Sequence, residues 1–314
     1  GTIQTKGWEL AIDYRHTFKN GLHFGVTASV ADDKTEVTKW TYNTKIPSYG
    51  ATGWWDKSAY KEGMVLGDIW GLQFDRFLTE DDFNADGSLK AGLPDQTKVF
   101  PAGYQFAPGD VLYKDLDNNG EIVKQTNTND KGDLSVIGNA LPRLQFGLNL
   151  DAAWKGFDIS MFFQGVAKRK LWAAGNQVLP GFTTGEPFYK GAEDYWTPEN
   201  TDAFYPRPMD YKQSASGNYS VNDRYLLNMA YLRLKTFTVG YSLPKVWLSK
   251  FKVQGLRVYF TGENLFTIDG VKPAIDPEIG IRTASGKSDQ RNFGRSYPYQ
   301  KTVSFGIQPV SYTH

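Results

Sequence analysis

Apolar and polar positions alternate with a period of two in stretch after stretch of this chain. In KGWELAIDYRHTF, Trp8, Leu10, Ile12, Tyr14 and Phe18 keep mostly one parity, and Glu9, Asp13, Arg15 and Thr17 take the other. Successive side chains of a strand point to opposite faces, so this spacing predicts a strand with one apolar and one polar side. Asn20-Gly21 follows, a hairpin dipeptide. Leu22, Phe24, Val26, Ala28 and Val30 then alternate with His23, Thr27 and Ser29.

The clearest hairpin is LQFGLNLDAAWKGFDISMFFQGV. Leu144, Phe146, Leu148, Leu150, Ala152 and Trp154 share one face; Gln145, Gly147, Asn149 and Asp151 share the other. Lys155-Gly156 turns the chain, and Phe157, Ile159, Met161 and Phe163 alternate with Asp158, Ser160 and Gln164. Three more strands are predicted at 231–244, 255–268 and 302–312, the first with a bulge near Thr236 where its parity changes. The segment VLGDIWGLQFDRF (65–77) carries a weaker strand pattern. The expectation is an all-β chain of about eight antiparallel strands.

Each arm is about ten residues long, the length of a tilted strand crossing a bilayer. Between the arms lie stretches of roughly 78–143, 173–228 and 269–297, rich in Gly, Pro, Asn, Asp and aromatics. Loops this long suit an outer-membrane barrel, which has short periplasmic turns and long extracellular loops. With Lys155-Gly156 in the periplasm, all three fall outside. The same threading leaves 33–62 as an unusually long periplasmic connection, which has no physical rationale. Loops of this size on so few strands point to the last third of a larger barrel rather than to a closed small one.

Composition narrows the choice. Lys+Arg is 35 and Asp+Glu 34, a net charge of +1, without the basic excess that nucleic-acid binding needs. There is no cysteine, so disulfides and thiolate metal sites are excluded. Mean hydropathy is −0.47 and no apolar run approaches the ~18 residues of a membrane helix. Aromatics still make up 15% of the chain and Gly numbers 32, a mixture that suits a β-structure with a wet interior. The opening GTIQTKGWEL lacks the basic and apolar regions of a signal peptide, so the expectation is a mature chain or a fragment.

Several runs in order resemble one family. GDVLYKDLDNNGEI, SVIGNALPRLQFGLNLDAAWKGFDISMFFQGV, YLRLKTFTVGYSLPKVWLSKF and LRVYFTGENLFTI, with TKGWEL and EGMVLGDIWGLQFDRF before them, resemble the C-terminal barrel half of SusC/RagA-like TonB-dependent outer-membrane transporters of Bacteroidetes. The resemblance implies a barrel of about 22 strands with a plugged lumen. Residues 1–314 would be its C-terminal segment, with the plug domain and the earlier strands outside this chain. It further implies location in the outer membrane, energy from TonB through the absent N-terminal part, a SusD-like lipoprotein over the outer mouth, dimers of SusC–SusD pairs, and oligosaccharide or oligopeptide cargo. The family ends on an aromatic residue; here the order is Tyr312-Thr313-His314.

The run GDVLYKDLDNNGEIV (109–123) also has the look of a calcium loop. Asp115, Asp117, Asn119 and Gly120 match positions 1, 3, 5 and 6 of an EF-hand loop, and Glu121 offers its carbonyl at position 7. Position 12 is Thr126, which cannot chelate in bidentate fashion, and no flanking helices are evident. One reading is a structural Ca2+ or Mg2+ pinning an extracellular loop, completed by Asp130 or Asp133. The other is an Asx-rich turn with Gly120 at positive φ.

Trp172, Tyr195 and Trp196 are candidate cargo contacts, since aromatic rings stack on sugars and side chains; packing within the loop is the competing role. Trp8, Trp154, Phe157, Tyr231 and Tyr241 sit near strand ends, where a membrane-interface girdle forms. Glu9, Asp13, Arg15, Asn149, Asp151, Asp158, Arg257 and Glu263 would face the lumen. His16, His23 and His314 are the only histidines, and no catalytic constellation is evident, so no enzyme is expected. The alternative function is a soluble extracellular carbohydrate-binding β-protein or glycosidase, whose apolar strand faces would be buried between two stacked sheets.

Overall fold

The computed structural model describes residues 1–41, 61–127, 130–173, 175–182, 188–209, 217–248, 253–272, 275–278 and 298–310. Seven long strands form one antiparallel sheet in sequence order. They are β1 (Thr2–Thr17), β2 (His23–Lys39), β3 (Arg143–Trp154), β4 (Phe157–Lys168), β5 (Tyr231–Ser242), β6 (Gly255–Asp269) and β7 (Thr302–Val310).

The register turns the period-two pattern into continuous rows. Ile12, Ala28, Leu148, Phe163, Leu234 and Phe266 lie side by side across six strands. Four residues further along β3, Phe24, Ala152, Ile159, Val239, Phe260 and Phe305 form another apolar row. Directly paired residues share a face, so these rows make a single apolar surface. The row next to the second reads Arg15, Gly25, Asp151, Ser160, Thr238, Thr261 and Ser304 and belongs to the opposite face. Most of the apolar surface is uncovered: Phe24 is 36% exposed, Phe266 42%, Ile12 56% and Phe305 81%, while Leu234 beside the bulge is buried. Among the described residues no second sheet covers it, whereas the soluble two-sheet alternative requires one. Its buried apolar face is an exposed one here.

The connections sort by length to the two ends of the sheet. At one end lie residues 18–22, 155–156 and 243–254; at the other lie 40–142, 169–230 and 270–301. Lys155 and Gly156 have φ of 48° and 88°, the paired positive values of the tight turn that matches strand twist. Gly21, at φ 83°, closes the 18–22 loop, where the Phe18 amide donates to the Leu22 carbonyl at 2.8 Å. The bulge expected near Thr236 is present: the register with both neighbours slips between Leu234 and Thr236. Asn264 on β6 answers it with a φ of 51°.

One predicted strand is not a wall strand. Residues 65–77 break into Asp68–Gly71 and Phe74–Phe77, which pair with Ser135–Asn139 and Val111–Tyr113 inside the long excursion. Gly67 at φ 86° and a kink at Leu72-Gln73 interrupt the run, and both parities are apolar, which fits burial on both sides. Residues 40–142 are therefore a single excursion at the long-loop end. Residues 33–39, expected to open a long periplasmic connection, continue β2, and 42–60 lie outside the described residues. Tyr312 and its neighbours lie outside the described residues.

Candidate functional site

The polar face of the wall and the loops above it form the candidate site. Glu9, Asp13, Arg15, Asn149, Asp151, Asp158, Arg257 and Glu263 all fall on the polar parity, as expected. Their charges are mutually compensated near the short-turn end. Asp13 accepts from the Thr27 hydroxyl at 2.7 Å and lies 3.3 Å from Arg15. His23 lies 3.6 Å from Asp151. Arg257 donates from Nε to Asp158 at 3.0 Å. Hydroxyls and amides fill the rows between. Such a face wets readily and presents few unpaired charges to a solute.

At the outer rim the wall grips its loops. Arg233 on β5 is almost wholly buried and donates to Asp276 at 2.6 Å and to the Thr267 hydroxyl at 2.8 Å. Lys235, at the bulge, pairs with Glu278 at 2.7 Å. The bulge thus places both cations on the side where the 270–301 loop returns. Tyr231, expected in a membrane girdle, is instead 8% exposed and stands 5.8 Å from the Arg233 guanidinium. Trp8, Trp154 and Phe157 do lie exposed on the apolar face, Phe157 paired with both Trp154 and Tyr241.

The long loops fold into a cap with two hydrophobic clusters. One gathers Ile69, Leu171, Trp172, Leu179, Tyr205, Tyr225 and Met229; the other gathers Leu72, Phe77, Val111, Tyr113, Ile122 and Trp196. Each fully buried side chain of this size contributes about 1.5–3 kcal/mol, so the cap is a packed body rather than a set of loose loops. Excursions 40–142 and 169–230 are interwoven: Leu72 N donates to Val221 O at 2.9 Å, and Val111 N to the Asn218 side chain at 2.8 Å.

The hub of that weave is Asp110, fully buried. It accepts from the Tyr104 hydroxyl at 2.8 Å, Ala107 N at 2.9 Å, Arg207 Nε at 2.8 Å and the Asn218 amide at 2.9 Å. Burial, together with the Asp110 charge, pushes the Tyr104 phenol well above its usual range. Burial, with Asp194 second, pushes Tyr205 up to about 12. Asp110 sits inside the quoted GDVLY run. The signal for it was a carboxylate between a turn glycine and three apolar residues, all of them buried.

Each predicted site residue has a definite place. Trp172 (2% exposed) and Trp196 (6%) pack into different clusters, so neither ring presents a free face. Gly109 sits against Trp196: a Cβ there would stand 2.5 Å from the ring. Tyr195 is 40% exposed and bridges Tyr205 through the backbone. Of the proposed metal ligands, Asp115 and Asp117 come together with Asp133, one oxygen from each lying within 4.8 Å of the others. Their oxygens already accept backbone N–H groups: Gly120 to Asp115 at 2.7 Å, Asn119 to Asp117 at 3.2 Å, Leu116 and Val123 to Asp133 at 2.8 and 2.7 Å. Asn119 accepts from Glu121 N at 2.8 Å, closing an Asx turn around Gly120 at φ 85°. The Glu121 carboxylate pairs with Lys98 instead. The side chain of Asp130 lies outside the described residues.

A membrane-long antiparallel sheet, apolar outside and polar inside, with short turns at one end and a packed cap at the other, defines a segment of an outer-membrane barrel wall. No known family model matches the chain. The TonB-dependent receptor P3 of Formosa agariphila is 26% identical over 98% of this chain and 28% of its own length. The TonB-dependent receptor SusC of Bacteroides thetaiotaomicron is 25% identical over 64% of this chain and 20% of its own. A solved structure of the RagAB peptide transporter superposes with a TM-score of 0.65 at 17% identity, covering 98% of this chain and 29% of that one. The RagAB peptide importer in its closed-closed state gives 0.64 at 18% identity. The chain spans less than a third of the length of the curated relatives it matches. Its fold is that of the C-terminal portion of a TonB-dependent transporter barrel, and its sequence is similar to SusC/RagA-like receptors, which are not enzymes.

Proposed function

We propose that this chain forms part of the wall and external cap of an outer-membrane importer for oligosaccharides or oligopeptides. TonB supplies the work through the part of the protein outside this chain, a SusD-like surface lipoprotein closes over the cap, and such pairs associate as dimers. Lipid covers the apolar rows, and cargo passes along the polar rows without covalent change.

One observation carries the reading: in-register apolar rows such as Ile12–Ala28–Leu148–Phe163–Leu234–Phe266 alternate with polar rows across the whole sheet. A soluble protein has no use for so wide and exposed an apolar face. The test compares cells with and without the gene for uptake of labelled oligosaccharides and oligopeptides, with and without a proton-motive force. Loss of energy-dependent uptake of one cargo class is expected on deletion. Unchanged uptake of both classes would leave only a surface anchor and overturn the proposal.

A further inference from the structure

At the outer rim, a cavity of about 130 Å³ opens between the segment leading into β5 and the residues just after β6. Val178, Phe204, Arg224, Tyr225, Asn228 and Lys272 are among its walls. Its charge is one-sided. Arg76, Arg143, Arg207, Arg233 and Arg257 each pair with an aspartate. Arg224 has no such partner among the described residues: its Nε donates to Phe204 O at 2.9 Å and its Nη2 to Ala203 O at 2.6 Å. The guanidinium also lies 4.3 Å from the Phe74 ring centroid and 5.5 Å from that of Phe204. Carbonyl dipoles and ring faces hold the cation in one orientation without neutralising it.

The other polar groups of the cavity add to the deficit. Lys272 is exposed and has no carboxylate partner among the described residues. Asn228 uses its side-chain oxygen to accept from Ala230 N at 3.4 Å, which leaves its NH2 group, beside Gly270, as a donor. Tyr225 is 2% exposed and its hydroxyl has no hydrogen-bond partner among the described residues. A buried hydroxyl without a partner is costly, and a fixed guanidinium in a partly desolvated wall favours an anion.

We propose that this cavity binds a carboxylate carried by the cargo, held between Arg224 and Lys272 with Asn228 donating a further hydrogen bond. The word cargo rests on the import reading; the anion preference does not. Two sources share this chemistry, the C-terminus of a peptide and a uronic acid. A neutral sugar would leave both cations uncompensated and gains nothing from them.

The test uses the full-length protein in detergent at low salt and two matched pairs of probes, read by calorimetry. One pair is a pentapeptide with a free C-terminus and its C-terminal amide; the other is a trigalacturonate and a neutral trisaccharide. The acidic member of one pair is expected to bind about tenfold more tightly than its neutral partner, a difference of about 1.4 kcal/mol. The pair that discriminates identifies the source. Lys272→Gln should cut that preference several-fold and leave the neutral probe unchanged. Arg224→Lys, which keeps the cation and its stem, should weaken it if the planar fork is used, with cap folding checked by protease resistance. Equal binding within both pairs, or a preference that survives in both variants, overturns the proposal. Uptake in cells separates the two readings. Energy-dependent uptake without acid preference sinks this inference alone, and acid preference without uptake sinks the import reading alone.

Discussion

Arg257 on β6 reaches Asp158 on β4 by crossing over Gly240 on the strand between them. The contact is possible because Gly240 has no side chain: a Cβ there would lie 2.5 Å from Arg257 Nη2. The pair ties three strands together on the polar face, where sheet pairing alone ties two. Gly240→Ala should break the crossing and lower stability by about 1 kcal/mol, the scale of a half-exposed ion pair. In an Asp158→Ala background the same substitution should cost much less, because the pair is already gone. Thermal unfolding of the full-length barrel, followed by heat-modified gel mobility, reads both. Equal costs in the two backgrounds would show that Gly240 is needed for another reason.

The Lys155-Gly156 turn makes a second prediction. Both residues have positive φ, and a Cβ on Gly156 would stand 2.8 Å from the Ser242 carbonyl. Gly156→Ala therefore combines left-handed strain with a clash and should cost about 1–2 kcal/mol. Lys155→Asn should be neutral or slightly stabilising, because Asn tolerates this region better than Lys. The same gel assay checks the pair, and the order of the two effects is the decisive readout.

Asp110 is the point at which the two large excursions depend on one another. Removing its carboxylate leaves Arg207, 26% exposed, without its anionic partner, and leaves the Asn218 amide and Tyr104 hydroxyl only the weakly accepting Met209 sulfur. Asp110→Ala should cost the cap about 3 kcal/mol, as breaking a buried pair does, and Asp110→Asn less. Protease added to intact cells should cut within 40–142 or 169–230 in the Ala variant and spare the wild type. The wall should survive, because none of these partners lies on β1–β7.

Acid should loosen one corner of the cap. The Arg76 guanidinium, followed by the Thr79 donors, holds Asp82 down at about 2 against an ordinary 3.8, after desolvation has pushed the other way. A lowered carboxyl pKa stabilises the fold where the group is ionised in both states. The contribution is therefore complete above about pH 4 and is lost as pH falls from there through about 2. Arg76 is 42% exposed, so screening leaves about 1 kcal/mol. Hydrogen exchange in the segment spanning Thr79, whose amide donates to Asp82 at 2.8 Å, should accelerate over that window. Asp82→Asn should exchange faster at pH 6 and show no such step.

The sequence disclosed the wall and hid the cap, for a physical reason. Wall strands are governed by two fixed environments, so Leu144–Trp154 and Phe157–Phe163 carry the period-two signal undiluted, and Lys155-Gly156 announces its turn. The cap is held by contacts between residues far apart in the chain, such as Val111 with Asn218 and Leu72 with Val221. No local pattern encodes them. The run 65–77 reads as a weak wall strand, yet Ile69 and Leu72, of opposite parity, are both fully buried, which only a packed body provides. Among candidate site residues, Asp115 and Asp117 were legible from their spacing, and Asp133 was one of two carboxylates the sequence offered to complete them; the fold brings Asp133 beside them. Arg224 and Lys272, 48 positions apart by their numbers in the chain, gave no signal at all.

Neighbouring residues on β3 offer the sharpest test of which face meets lipid. Leu150 lies in an apolar row with Val26 and Met161, and Asn149 in a polar row with Thr27 and Phe162. A cation placed on the lipid face at mid-depth of a barrel costs about 2–4 kcal/mol, and less toward the interfaces; on the lumenal face it stays in water. Leu150→Lys in the full-length protein should therefore reduce assembly into the outer membrane and lower stability by that amount. Asn149→Lys should assemble normally and keep its stability within about 0.5 kcal/mol, the range of ordinary surface changes. The two positions are adjacent in sequence and share the same strand, so general damage to β3 would affect both alike. Similar losses for the two variants, or a greater loss for Asn149→Lys, would reverse the assignment of faces and with it the placement of the cargo path.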